Sequence, residues 1–181
     1  MSIQWREEMA IDHGIIDSDH QTLISIINMF CDATPASDSL PKLQSILDML
    51  QLYTEDHFER EESLQQKAHY AFIDAHHHEH IDLIRKLTTL RKRLTMLAEN
   101  DPGASEGSDV DSRASGLPPE APKVNVAVFH AEMAAFLHHW LIDHVVKSDL
   151  RMKPYAAKLN EHASKFSALV EPGRFLILPD C

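Results

Sequence analysis

Histidine is the residue type that stands out in this sequence. Thirteen of the 181 residues are histidines, and the run AHHHEH at 75–80 holds four of them. Within that run His76 and His80 are four residues apart, as are His57 and Glu61 earlier in the chain. Residues four apart share one helix face and lie about 6 Å apart along the helix axis. Such a pair of side chains can bind one metal ion, or one ion each of a pair.

Further side chains of metal-ligand type fall on the inward faces of predicted helices. Burying them without partners would be very costly, and a metal centre removes that cost because they become ligands. Five imidazoles and two carboxylates are too many for one tetrahedral zinc ion. They suit two octahedral ions that share the carboxylates and keep one position open, and such a sulfur-free set is compatible with non-haem iron. The candidate ligands are His20, His57, Glu61, His76, His80, His144 and Asp149.

One spacing in this set does not fit a regular helix. His144 and Asp149 are five residues apart, which places them about 140° apart around an α-helix. Either the aspartate side chain reaches around the helix, or a wide turn of the π type brings the two residues together.

The elements that must position these residues are predicted to be helices. Apolar residues recur at spacings of three and four in four segments, which is the pattern of amphipathic helices. Asp17, Ser18 and Asp19 are expected to cap the first helix. Pro154 ends the fourth helix or starts a short fifth one. The predicted helices cover residues 18–30, 40–66, 72–98 and 125–152.

The pattern predicts an all-α protein, an up-down four-helix bundle with a short C-terminal helix or tail. The segment 99–122 is rich in glycine and proline and is expected to be a flexible loop between the third and fourth helices. The whole chain, 1–181, is therefore interpreted as one domain with a C-terminal extension at 154–181. The apolar residues 175–178 are a weak candidate for a docking element.

Composition excludes several classes of partner. The formal net charge is −11, which disfavours binding to nucleic acid and to anionic membrane surfaces. The N-terminal residues lack a signal-peptide pattern, and no stretch approaches the length of a membrane span. Cys31 and Cys181 form no CxxC motif, so free thiols and a cytoplasmic location are expected.

Four motifs, GIIDSDH, HFEREE, HHHEH and WLIDHVVKSD, occur in this order. With Trp5 and Gly14, they resemble the successive motifs of the hemerythrin family, in its single-domain, bacteriohemerythrin-like form. The resemblance covers residues 3–152 apart from the loop 99–122. It implies a centre of two iron ions bridged by an oxo or hydroxo group, with dioxygen as the binding partner.

The same resemblance implies a role for each ligand and a wall for the oxygen pocket. His76, His80 and His144 would bind one iron, and His20 and His57 the other, which keeps an open position. Glu61 and Asp149 would bridge the two ions. An apolar wall would exclude water and protons from the open position. The residues matching that wall are Leu23, Phe58, Trp140, Leu141 and Val145.

The remaining histidines are interpreted as ordinary ones. His77 and His78 are turned away from His76 and are expected to face solvent or a neighbouring helix. The histidines at 130, 138 and 139 are expected at the surface or in packing, and those at 13, 69 and 162 have no assigned role.

Three functions are compatible with such a centre. The first is reversible dioxygen binding for storage, delivery or sensing, without catalysis. The second is a di-iron enzyme that acts on peroxide or nitric oxide or oxidises a substrate; the histidine-rich ligand set and the absence of an acid or base in the expected pocket argue against it. The third is an oxygen or redox sensor that works through an unidentified partner protein.

Overall fold

The computed structural model describes residues 2–36, 39–99 and 125–169, and the regular elements in these ranges are all helices. The α-helices are α1 (Ile15–Cys31), α2 (Leu40–Lys67), α3 (Ile73–Glu99), α4 (Val126–Asp143) and α5 (Lys153–Leu169). A π-helix at His144–Ser148 and a 3-10 helix at Asp149–Met152 connect α4 to α5. The prediction of an all-α bundle is confirmed, although its continuous fourth helix is divided into three parts.

The four long helices pack in a closed ring. The helix α1 packs against α2 and α4, and α3 packs against the same two neighbours. Few residues separate α1 from α2, and α2 from α3, so consecutive helices run antiparallel. The predicted loop 99–122, apart from Glu99 at the end of α3, and the apolar tail 175–178 lie outside the described residues.

The apolar core fills one end of the bundle and extends to the candidate ligands, where Leu23, Phe58 and Val145 belong to it. It includes Ile27, Leu47, Leu94 and Met133, one from each helix of the ring, and all four are fully buried. Burying a side chain of this size contributes about 1.5–3 kcal/mol. In α1 and α3 the candidate ligands precede these core residues, whereas in α2 and in the short helices after α4 they follow them. Because the helices alternate in direction, the candidate ligands gather at the other end.

A second apolar cluster covers that other end. It contains Ile11 and Ile16 near the start of α1, Tyr70 after α2, and Met152 and Ala156 beside the start of α5. The candidate ligands therefore lie between two apolar clusters, and the C-terminal extension contributes to the second one.

The start of α1 differs from the prediction. The helix begins at Ile15, and the Asp12 carboxylate accepts hydrogen bonds from the backbone N–H groups of Gly14, Ile16 and Asp17. Asp17 itself is buried in the first turn, and Asp19 points inward. The expectation that Asp17, Ser18 and Asp19 cap the helix is wrong, because the Asp12 carboxylate, which precedes the helix, already accepts hydrogen bonds from the free N–H groups at its start.

No helix in the described ranges is both long and apolar enough to cross a lipid bilayer.

Candidate metal centre

The π-helix explains the five-residue spacing between His144 and Asp149. The backbone N–H of Asp149 donates to the carbonyl of His144, which is the wide-turn bond of a π-helix. The extra residue in this turn brings the two side chains together, with 3.2 Å between His144 Nε2 and Asp149 Oδ1. Of the two alternatives for this spacing, the wide turn is the one observed.

All seven candidate ligands converge in the bundle, and each is 7% exposed or less. One group holds three histidines and both carboxylates, each offering one ligand atom, and these atoms lie within 4.8 Å of one another. A second group brings His20 and His57 together with Asp149 in the same way. The first group consists of Glu61, His76, His80, His144 and Asp149.

Asp149 faces both groups. Its Oδ1 lies 3.1 Å from His76 Nε2, and its Oδ2 lies 3.3 Å from His20 Nε2. Glu61 also lies between the groups, but the same oxygen faces both of them. Its Oε2 atom is 3.1 Å from His80 Nε2 and 3.9 Å from His57 Nε2. A carboxylate in the position of Asp149 can bind two cations, one on each oxygen.

The polar atoms at the centre lack hydrogen-bond partners. Among the described residues, the Nε2 atoms of His20, His76, His80 and His144 are buried without one, and so are both oxygens of each carboxylate. Orphaned buried groups of this kind are rare in native proteins and costly. Cations between these atoms would satisfy them, so the residues present fit a metal centre.

The charges of the cluster have the signs that a cation site requires. Burial and Asp149 act to raise the pKa of Glu61, but His76 and His80 outweigh them and lower it to about 2. Burial likewise acts to raise the pKa of Asp149, yet His144 and the neighbouring imidazoles hold it well below its usual range. Burial acts to lower the pKa of His76, but the two carboxylates raise it to about 10. Both carboxylates are therefore anions at neutral pH, and a metal ion would displace a proton from His76.

A narrow cavity, too tight to hold a water molecule, adjoins the second group and also touches His144 of the first. All of its wall residues are buried, and they include every residue predicted for the oxygen pocket. The indole N–H of Trp140 is buried and has no acceptor among the described residues, so this wall is not wholly apolar. The cavity is lined by His20, Leu23, His57, Phe58, Trp140, Leu141, His144, Val145 and Asp149.

Comparison with known proteins identifies the family. A family model described as the hemerythrin HHE cation binding domain matches residues 12–156. The chain belongs to the hemerythrin family. This hemerythrin chain is 23% identical over 172 residues to bacteriohemerythrin of Stenotrophomonas maltophilia, a match that covers 95% of this chain and 91% of that protein.

Two other hemerythrin relatives are similar at the same level. Bacteriohemerythrin of Pseudomonas paraeruginosa is 25% identical over 145 residues, which cover 80% of this chain and 75% of that protein. Myohemerythrin of Theromyzon tessulatum is 29% identical over 84 residues, which cover 46% of this chain and 64% of that protein. No solved structure matches the chain significantly.

In this hemerythrin domain Asp19 supports His57 from outside the cluster. Asp19 Oδ2 lies 3.4 Å from His57 Nδ1 and 2.7 Å from Arg60 Nε, and Oδ1 accepts a 2.9 Å hydrogen bond from the Tyr53 hydroxyl. Burial acts to raise the pKa of Asp19, but hydrogen bonds from His57, Arg60 and Tyr53 hold it well below its usual range. Sequence reasoning assigned Asp19 to a cap and missed this role. The available signal was its position four residues before the core residue Leu23, on the same helix face.

Three of the other histidines in the hemerythrin chain lie where they were expected, at the surface or in packing. His130 is buried in the core, stacks on Phe30 with ring centroids 5.0 Å apart, and donates through Nε2 to the Phe30 carbonyl. His139 is exposed and pairs with Asp143. His78 is exposed and bonds the carbonyl of Asp74, one turn earlier. None of these histidines belongs to the ligand groups.

Proposed function

We propose that this chain is a non-haem di-iron protein that binds dioxygen reversibly. Its family and its buried cluster of candidate ligands support a metal centre. The observation that supports dioxygen binding is the position of the cavity, which is lined by all three residues of the group that has fewer ligands.

The ligand groups support two ions with different numbers of protein ligands. His76, His80 and His144 would bind one iron, and His20 and His57 the other. Imidazoles and carboxylates without sulfur suit iron in this arrangement. Asp149 would bridge the ions because its two oxygens face different histidines, and Glu61 would bridge them from α2. An oxo or hydroxo group would complete the bridge.

The ion with two histidines would keep a position open for dioxygen. When bound, the iron pair would supply the electrons and the coordination position that dioxygen needs. The protein supplies the surroundings: Leu23, Phe58 and Val145 exclude water from the cavity, and a water-poor site slows the loss of reduced oxygen species.

The cavity favours binding over catalysis. Apart from the candidate ligands, its lining residues are apolar or aromatic, and the Trp140 indole is neither an acid nor a base at ordinary pH. Cleavage of an O–O bond is normally assisted by a positioned acid or base. A carrier or a sensor of oxygen therefore fits the described residues better than an enzyme acting on peroxide or nitric oxide.

The test is to load the protein with Fe²⁺ without oxygen, count the iron, and then admit oxygen while following the visible spectrum. We expect two irons per chain and an absorption band that disappears when oxygen is removed. The variant His57→Ala should lose the band, whereas His139→Ala, a surface control, should keep it. One zinc per chain, or no metal, would overturn the di-iron proposal. Irreversible oxidation with turnover of added peroxide would show an enzyme instead.

A further inference from the structure

Glu62 on α2 joins two histidines of α3. Its Oε1 atom lies 2.8 Å from Nδ1 of the buried His80 and 2.8 Å from Nδ1 of the exposed His77. The side chain of His77 is 51% exposed and that of His80 only 3%. One carboxylate oxygen thus connects the candidate ligand to a residue at the surface.

The bond to Glu62 determines which nitrogen of His80 can bind a metal. A neutral imidazole carries one N–H, so a ring that donates from Nδ1 presents its lone pair on Nε2. The Nε2 atom of His80 is the one that faces the cluster, 3.1 Å from Glu61. An outer carboxylate also raises the basicity of a metal-bound imidazole.

The charge of Glu62 is not shared with a strong cation. In the part of the chain that the structure describes, its ion pairs are with His77 and His80. Asp19, the corresponding carboxylate beside His57, is paired with Arg60 at 2.7 Å. The negative charge of Glu62 is therefore less compensated than that of Asp19, and more of it acts on His80.

We propose that Glu62 is a positioning residue that fixes the tautomer of His80 and increases electron donation to the three-histidine iron, and that the surface residue His77 holds Glu62 in place. The effect on electron donation rests on the proposed di-iron function. It makes the reduction potential of the centre depend on a residue outside the ligand set.

The first experiment measures the midpoint potential of the iron-loaded protein and its iron content. Glu62→Gln keeps an acceptor for His80 but removes the charge, so two irons should remain and the potential should rise. His77→Ala removes the residue that holds Glu62 beside His80; the loss of contact should outweigh the loss of a compensating partner, so the potential should shift in the same direction by a smaller amount. His78→Ala is the matched control, because His78 is also exposed but bonds only the backbone, and it should leave the potential unchanged.

A second variant separates positioning from charge. Glu62→Leu removes the acceptor altogether and should weaken iron binding by about 10- to 100-fold, the usual cost of losing an outer partner of a metal ligand. Equal potentials in Glu62→Gln, His77→Ala and His78→Ala, with two irons bound in each, would overturn the proposal.

A third measurement does not require iron. In the metal-free protein, long-range ¹H–¹⁵N correlations report which ring nitrogen of His80 carries the proton. We expect a proton on Nδ1 in the native chain and its loss in Glu62→Leu. If the native chain binds no iron but shows this pattern, the proposed function fails while the positioning role of Glu62 holds. A native His80 protonated at Nε2 alone would overturn the positioning role.

Discussion

The position of each histidine around helix α3 decides whether it reaches the centre. His76 and His80 are buried, at 3% and 2% exposure, and they face the two carboxylates. His77 and His78 lie on the outside of the same helix and make hydrogen bonds to Glu62 and to the Asp74 carbonyl. The four residues have the same chemistry, so their different positions on the helix assign their roles.

Substitutions within the run should therefore have unequal effects on iron content. His76→Ala or His80→Ala removes a ligand and should cost roughly one of two bound iron ions. His77→Ala and His78→Ala should keep both ions. Iron per folded chain, measured by a colorimetric assay after gel filtration, checks this. Full iron content in His80→Ala would show that His80 is not a ligand.

Asp19 is the residue whose loss should affect stability as well as metal binding. Asp19→Ala leaves the buried His57 and the half-buried Tyr53 and Arg60 without their shared acceptor. We expect the free energy of unfolding to fall by about 1–3 kcal/mol, measured by urea denaturation of the metal-free protein. Asp82→Ala is the control, because Asp82 makes an exposed pair with Arg85 and such pairs contribute little. Equal losses in both variants would contradict the role of Asp19.

At the scale of the elements, the turn after α2 positions the start of α3 and the second apolar cluster. The N–H of Tyr70 donates to the carbonyl of Gln65, and that of His69 to the carbonyl of Gln66, which is the pattern of a Schellman motif. His69 has φ of 52°, in the left-handed region where glycine is usual. This turn directs Tyr70 into the cluster, with its ring centroid 6.1 Å from that of His76.

His69 should therefore be replaceable with a gain in stability. His69→Gly removes the Cβ that makes a left-handed conformation costly and should raise the free energy of unfolding by about 0.5–1 kcal/mol. His69→Ala keeps the Cβ and should give no gain. Thermal denaturation of both variants checks the prediction, and iron content should be unchanged. Destabilisation by His69→Gly would mean that the imidazole makes a stabilising contact.

The elements also show what could be predicted from the sequence. The bounds of α2 and α3 lie within one residue of the predicted 40–66 and 72–98, because a continuous apolar stripe defines each helix. The start of α1 was placed three residues late, since the side chain that bonds its first turn is Asp12, outside the stripe. Glu62 had no signal at all: it sits beside Glu61 in a run of acidic residues, and only the approach of α3 makes it a partner of His80.

At the scale of the whole molecule, much of the apolar packing lies away from the candidate ligands. The larger apolar core draws on all four helices of the ring; Leu23, Phe58 and Val145 of this core line the cavity beside the ligands, and Ile27, Leu47, Leu94 and Met133 lie toward the other end of the bundle. A zinc finger, by contrast, has too small a core to fold without its metal. The fold here should therefore persist without metal, with the ligand cluster as its costly part.

Metal removal should accordingly lower the melting temperature without unfolding the chain. Metal binds the folded state and so stabilises it by mass action. The iron-loaded protein should melt at a higher temperature, while circular dichroism at room temperature should show the same helix content with and without iron. Loss of helix on chelation would contradict the prediction, and so would identical melting temperatures.

The two-ended bundle has a consequence for the order of events after synthesis. Because the apolar end can assemble from contacts between neighbouring antiparallel helices, it does not have to wait for a cofactor. Iron would then enter a chain whose ligands are already close together, in a binding step that follows folding. When iron is scarce, such a chain would persist in folded form and could be loaded later, without new synthesis.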